Sequence, residues 1–202
     1  YEEGDPAYYL IRQGVFAVLG ITAMAVIGKI NYERYRAVAK LALLVSIVLL
    51  ILVLIPGIGT GKLTHGAQRW IRLGSIQFQP SELAKVGIIL YFADSISKKK
   101  DKMATLRDGI IPYAAILGVI GFLMYKEPHL SGLVLLLGIG AVMMYVGGIR
   151  NYWVGIGFAL VLVVIYAFAT GLITYNSSRI SIWLDPFNEE WMRDKGYQIR
   201  QS

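Results

Sequence analysis

The chain has 202 residues, 56% of them hydrophobic and only 16% charged, with a formal net charge of +7 and no cysteine. A soluble domain carries about 25% charged residues, so an ordinary soluble fold is excluded. The lack of cysteine excludes disulfides, thiolate metal sites and cysteine nucleophiles.

Apolar residues fall into six blocks near bilayer-crossing length, which predicts one all-α domain, a polytopic transmembrane helix bundle. The first span is predicted over 8–28, with Arg12 near one interface. A polar turn over 31–36 leads to the second span, 38–55, which Pro56-Gly57 ends. Residues 57–80 are rich in glycine and carry Lys62, His65, Gln68, Arg69, Trp70, Arg72, Gln77 and Gln79. That stretch is too polar to face lipid and reads as an interfacial or re-entrant outer loop.

The third span is predicted over 81–96, with Pro80 at the break and Ser81 as the cap ahead of Glu82. Lys98-Lys99-Lys100-Asp101-Lys102 follows as a hydrophilic loop. The fourth span, 109–125, has Pro112 close enough to its start to be tolerated. Short links at 126–129 and 150–151 force antiparallel neighbours, with a fifth span over 130–149 and a sixth over 152–173. From Thr174 the chain turns polar, so 174–202 reads as folded or docked extramembrane structure. The start, Tyr1-Glu2-Glu3-Gly4-Asp5-Pro6, is acidic, lacks Met and is unlike a signal peptide, which reads as a fragment of a longer protein.

Basic residues near span ends set the orientation of a membrane protein. Lys29, Arg34, Arg36 and Lys40 follow the first span, Lys98, Lys99, Lys100, Lys102 and Arg107 follow the third, and Arg150 lies between the fifth and sixth. All are expected on the cytoplasmic side. The basic excess is therefore juxtamembrane, and no nucleic acid is expected as a partner. The loop over 57–80, the link at 126–129 and the tail are expected on the outer side.

Glu82 and Lys85 are three residues apart, so they share a helix face and can pair. Charges inside a span normally line a bundle interior or a water-filled cavity, while a pair at a span end can also snorkel and anchor it. Arg69 and Arg72 flank Trp70, and two guanidinium groups beside a ring can hold phosphate oxygens of a membrane lipid; the same composition also describes an aromatic belt. His65 and His129 are too isolated for metal-ligand spacing, and no metal or cofactor is expected. Gly138-Ile139-Gly140, Gly147-Gly148 and Gly155-Ile156-Gly157 read as close helix contacts. The carboxylates Asp185, Glu189, Glu190 and Asp194 read as solvated surface.

Two strings, Gly66-Ala67-Gln68-Arg69-Trp70-Ile71-Arg72-Leu73-Gly74 and Phe78-Gln79-Pro80-Ser81-Glu82-Leu83-Ala84-Lys85, closely resemble the shape, elongation, division and sporulation (SEDS) family, in its cell-division or spore-cortex branch. Further matches are Glu127-Pro128-His129-Leu130-Ser131-Gly132, Leu184-Asp185-Pro186-Phe187 and Gly196-Tyr197-Gln198-Ile199-Arg200-Gln201-Ser202. The resemblance covers essentially the whole chain. It implies a bundle of about ten bilayer-length helices, of which the chain would carry the second to seventh, with 57–80 as an outer loop and 174–202 opening a larger one.

The resemblance also implies an activity: peptidoglycan glycosyltransfer that polymerises lipid II, or another polyprenyl-diphosphate glycan precursor, into glycan strands. The implied partners are a class B penicillin-binding protein, other division or elongation proteins and membrane lipids, in the bacterial plasma membrane. It places Glu82 and Lys85 in the family's central cavity and Arg69 with Trp70 in an important outer-loop pair. The presumed catalytic aspartate matches no residue of this chain; it lies in a His-Thr-Asp-Phe type string beyond Ser202, so the piece alone is expected to be inactive. Glu127-Pro128-His129 stands where many relatives have Gln-Pro-Asp, and the spacing from Pro186 to Gln198 is about two residues longer than in relatives. Rival readings are a lipid-linked precursor flippase, for which no inverted repeat is visible, and a non-catalytic division scaffold.

Overall fold

In a computed structural model, residues 6–60, 69–74, 76–127 and 129–169 are described. The chain divides into two compact units, residues 1–149 and 150–202. The first holds five α-helices: α1 (Pro6–Gly28), α2 (Tyr32–Leu54), α3 (Pro80–Lys99), α4 (Ile111–Lys126) and α5 (Leu130–Val146). The second holds α6 (Asn151–Ala169). The expected tail structure over 174–202 lies outside the described residues.

Each expected span coincides with a helix, but the boundaries move for local reasons. The second helix begins at Tyr32 rather than 38, because the Asn31 side chain accepts a hydrogen bond from the Glu33 amide at 3.0 Å and caps it. The polar turn therefore shrinks to the residues before Tyr32. The predicted lysine-rich loop is helical: α3 runs to Lys99, a 3-10 helix covers Lys100–Ala104, and a π-helical turn covers Leu106–Ile110. Asp108 and Thr105 cap that turn, the Thr105 hydroxyl accepting from the Asp108 amide at 3.3 Å.

Among the described residues, two helical stretches are long and apolar enough to cross a membrane, Tyr32–Leu54 and Leu106–Lys126. Six had been expected. Gln13–Gly28 and Ser131–Val146 are apolar but shorter, and α3 carries Glu82, Lys85, Asp94, Lys98 and Lys99. α1 also exposes Leu10, Ile11, Val15, Phe16 and Leu19, an apolar surface that suits lipid better than water.

The stretch expected to be an irregular loop adds a small sheet to the otherwise α-helical fold. It forms a three-stranded antiparallel sheet of β1 (Gly59–Thr60), β2 (Trp70–Leu73) and β3 (Ile76–Phe78) in the order β1-β2-β3. Ile71 pairs with Gly59 and with Phe78, and Arg72 pairs with Gln77. Gly74, at φ +61°, opens the turn between β2 and β3, where a side chain would be strained.

The core of the first unit is Leu43 and Leu50 of α2, Ala84, Ile88 and Phe92 of α3, Tyr113, Leu117, Ile120 and Met124 of α4, and Leu136 and Met144 of α5. α2 and α3 pack closely because Gly87 has no side chain: a Cβ there would lie 2.7 Å from Ser46 Oγ and 3.1 Å from the Ala42 carbonyl. Ser46 fills the gap, donating to Ala42 O at 2.7 Å or Leu83 O at 3.1 Å. The glycine expectation holds in part. Gly140 lies against Leu117 and Gly147 against Ile96, whereas Gly138, Gly148, Gly155 and Gly157 have nothing near the missing Cβ.

Candidate functional site

Three separate stretches meet beside the N-terminus of α3. Pro80 occupies the first helical position, so the cap falls on Gln79, not on Ser81 as the sequence suggests. Gln79 makes no side-chain cap bond; its amide nitrogen instead lies 3.1 Å from His129 Nδ1. Ser81, now inside the first turn and buried, brings its hydroxyl to 3.3 Å from the same nitrogen. An amide nitrogen can only donate, so the shorter Gln79 contact assigns Nδ1 as an acceptor, and the Ser81 hydroxyl can then donate to it as well. The ring lies over Gly132, where a Cβ would collide with it.

The third stretch is the approach to β2. In an extended strand alternate residues point to opposite faces. Ile71 is buried and Trp70 and Arg72 are exposed, so Arg69 falls on the inward side with Ile71. Its Nε donates to the Glu127 carbonyl at 3.4 Å.

Glu82 and Lys85 pair as predicted, with Lys85 Nζ 2.7 Å from Glu82 Oε2. Lys85 is 20% exposed and Glu82 59% exposed, so the pair reaches from the packed side of α3 toward open space. Both charges are felt at His129, together with that of Arg69. Burial lowers the His129 pKa from its ordinary value, Arg69 and Lys85 act in the same direction, and Glu82 opposes them. The imidazole is therefore held neutral near pH 7.

Glu127 is the most anomalous group. It follows α4 in the link to α5, its exposure is 0%, and among the described residues neither carboxylate oxygen has a hydrogen-bond partner. A buried, unpaired carboxylate is costly, so the group responds by holding its proton. Burial pushes its pKa up to about 8, with Arg69 pulling the other way.

The structure thus brings Arg69, Glu82 and Lys85 of the sequence candidates around His129. It does not bring Arg72 or Trp70 there: both lie on the outer face of β2, so the pair of guanidinium groups expected from sequence does not form. Gln79, Ser81, Glu127 and His129 were not predicted as site residues. The available signal was an acid and a histidine in a link of three residues between two apolar helices, where an ionisable side chain has little water to face. Among the described residues no cluster of three His, Cys, Asp or Glu side chains could hold a metal ion.

What gathers here is a guanidinium, an ammonium paired with the Glu82 carboxylate, a neutral imidazole, an amide and a carboxyl whose pKa is raised to about 8. That set can bind an anionic headgroup by charge and by hydrogen bonds. The FtsW/RodA/SpoVE cell cycle protein family matches the chain over residues 1–202. The chain belongs to that family, the SEDS proteins.

A protein of Geobacter sulfurreducens named "Probable peptidoglycan glycosyltransferase FtsW" is 39% identical over 199 residues, covering 98% of this chain and 52% of that protein. Its namesake from Trichlorobacter lovleyi is 38% identical, covering 98% and 51%. The chain thus spans about half the length of the curated relatives it matches. Among solved structures, a chain of a peptidoglycan synthase complex, described for its coordination of polymerization and crosslinking, superposes with a TM-score of 0.73 at 30% identity, covering 98% of this chain and 56% of that one. The rod shape determining protein RodA of Thermus thermophilus superposes with a TM-score of 0.63 at 30% identity, over 80% of this chain and 52% of that one.

Proposed function

We propose that this SEDS chain forms the lipid-headgroup site of a peptidoglycan glycosyltransferase that polymerises lipid II into glycan strands at the bacterial plasma membrane. The observation that carries the reading is the convergence of Arg69, Glu82 and Lys85 around the half-buried His129 and the buried Glu127. The relatives named as peptidoglycan glycosyltransferases support it.

In the proposed reaction, the acceptor sugar hydroxyl gives its proton to a carboxylate base while its oxygen bonds to the anomeric carbon of the donor. The bond from that carbon to the polyprenyl diphosphate breaks, and the electron pair leaves with the diphosphate. Arg69 and Lys85 offset the charge that grows on the leaving oxygens, and Glu82 orients Lys85. The base is assigned, by likeness, to an aspartate outside the residues of this chain. Trp70 and Arg72, on the outer face of β2, hold the sheet at the headgroup layer.

The same reading has six helices crossing the bilayer and places residues 57–80 and 174–202 as outer loops. The Asp94 end of α3 then faces the cytoplasm, since Arg36, Lys98 and Lys99 gather there. A class B penicillin-binding protein and division proteins are the partners, and the septum the place of work. The test is polymer formation from lipid II by the whole protein carrying Lys85→Glu or Glu82→Lys, with membrane insertion checked. Polymerisation at the unaltered rate by both variants would defeat the reading.

A further inference from the structure

The other end of α3 carries more positive charge than it neutralises. Residues 29–40 and 94–108, the stretches that meet there, hold nine Lys and Arg side chains against four Asp and Glu. Two of the cations share one buried anchor. Arg36 Nε of α2 lies 3.0 Å from Asp94 Oδ1 and Lys98 Nζ lies 2.6 Å from Oδ2; the Asp94 side chain is 5% exposed, those of Arg36 and Lys98 48% and 55%. One carboxylate offsets a single charge. Oδ1 takes no aligned hydrogen bond, so among the described residues the Arg36 N–H groups remain open, and Lys98 uses one of its three donors on Oδ2. Asp94 thus fixes a planar guanidinium beside an ammonium and leaves the exposed half of each available, an arrangement suited to the oxygens of a phosphate.

The same face of α2 continues in apolar chemistry. Lys40 lies one turn beyond Arg36 and is exposed, and Leu44 and Ile51 follow at helical spacing, 58% and 47% exposed. From Lys40 to Ile51 the helix rises about 16 Å at 1.5 Å per residue, close to half of a hydrocarbon core about 30 Å thick. Cations at one end of an apolar wall one leaflet deep match an amphiphile with an anionic head.

We propose that Arg36, Lys98 and Lys40 bind the phosphodiester of an anionic phospholipid of the phosphatidylglycerol type, whose chains lie along Leu44 and Ile51. A choline headgroup brings its own cation, which the surplus positive charge repels, and a free phosphate gains nothing from the apolar wall. The proposal rests on α2 and α3 crossing the bilayer, as the proposed function has them, and is independent of glycosyl transfer.

The test is native mass spectrometry of the whole protein in detergent, with phosphatidylglycerol and phosphatidylcholine as competing probes. Phosphatidylglycerol should be retained in preference. Arg36→Gln combined with Lys98→Gln should lower its affinity at least about tenfold, the scale for losing charged hydrogen bonds. Lys100→Gln combined with Lys102→Gln removes the same charge outside the clamp and should change affinity by less than about twofold, as for screened surface charges. Asp94→Asn separates a built site from a diffuse basic surface: it adds positive charge, yet it should loosen the lipid because the two cations lose their anchor. Melting curves establish that each variant is folded, and Arg36→Lys, which keeps the charge without the planar fork, should give a partial loss. Equal retention of the two lipids, equal losses in the two double variants, or tighter binding in Asp94→Asn overturns the proposal. Inorganic phosphate should fail to displace the lipid; displacement by it assigns the site to a soluble anion and overturns the lipid as occupant. Maleimide labelling of Lys100→Cys and Arg72→Cys in sealed vesicles checks the bilayer crossing separately. Reaction of both from one face overturns that reading, whatever lipid is bound.

Discussion

The two ends of α3 each bury a carboxyl group and treat it oppositely. Near its C-terminus Asp94, with a side chain 5% exposed, has a cation at each oxygen: Arg36 Nε of α2 lies 3.0 Å from Oδ1 and Lys98 Nζ lies 2.6 Å from Oδ2. The Arg36 contact is one of charge, without hydrogen-bond alignment, since Oδ1 has no hydrogen-bond partner. Lys99 extends the same end, donating to the Asp108 carbonyl at 2.8 Å and lying 5.0 Å from the centre of the Tyr113 ring, whose hydroxyl meets Ser95 at 2.9 Å. Beside the N-terminus, Glu127 has no hydrogen-bond partner at either oxygen among the described residues. Glu82 and Asp94 lie twelve residues apart on one helix, about 18 Å at 1.5 Å per residue, so one rigid element holds both ends. The Asp94 carboxylate is neutralised from within and serves to lock α2, α3 and α4. The Glu127 end, with neither oxygen hydrogen-bonded among the described residues, is the end to which the proposed headgroup site is assigned.

Five substitutions probe that contrast. The largest effect is expected from Lys85→Glu, which inverts a site cation and leaves Glu82 facing another acid. Glycan polymerisation by the whole protein should fall by about a hundredfold, the scale for losing one electrostatic contributor to a transition state. A comparable loss from Lys98→Glu at the other end, with insertion intact, would erase the distinction between the ends.

Next comes Gly87→Ala, which pushes a methyl against Ser46 Oγ and the Ala42 carbonyl. Because the helix contact fixes both ends, thermal unfolding in detergent should register a cost of about 1–3 kcal/mol, the range for overpacking a filled core. An unchanged melting temperature would mean that α2 and α3 are not closely locked.

The smallest effects come from neutralising each acid. Asp94→Asn should destabilise by about 1 kcal/mol, discounted because Arg36 and Lys98 are half exposed and remain hydrated. Glu127→Gln should cost little at pH 6 and should stabilise at pH 9. The stability that the raised pKa of Glu127 provides is complete below its ordinary 4.5 and is lost as pH rises through about 8. Melting curves at the two pH values check this; equal costs for Glu127→Gln at both would contradict it.

Much of this architecture was legible in the sequence, because long apolar runs have few alternatives to helices in a bilayer. The Glu82–Lys85 pair was legible for the same local reason, since three residues on a helix bring side chains together. What sequence spacing did not convey was long-range: Gln79 and Ser81 reach His129 across about fifty residues, and Arg69 reaches Glu127 across more. The direction of Arg69 was also hidden, because it depends on β2 being a strand with Ile71 inward, and the sequence reads 57–80 only as an interfacial or re-entrant loop. The loss of Arg72 from the cluster has the same origin.

The central claim is that the inward guanidinium, not the outward one, anchors the anion. Affinity for the polyprenyl-diphospho-sugar in nanodiscs, measured at pH 7 for Arg69→Ala and Arg72→Ala, tests it most directly. The account predicts at least a tenfold loss for Arg69→Ala, about the 1.5–3 kcal/mol carried by a charged hydrogen bond. It predicts a change within about 0.5 kcal/mol for Arg72→Ala, as for other exposed positions. Equal losses in the two variants, or a larger one for Arg72→Ala, would contradict it.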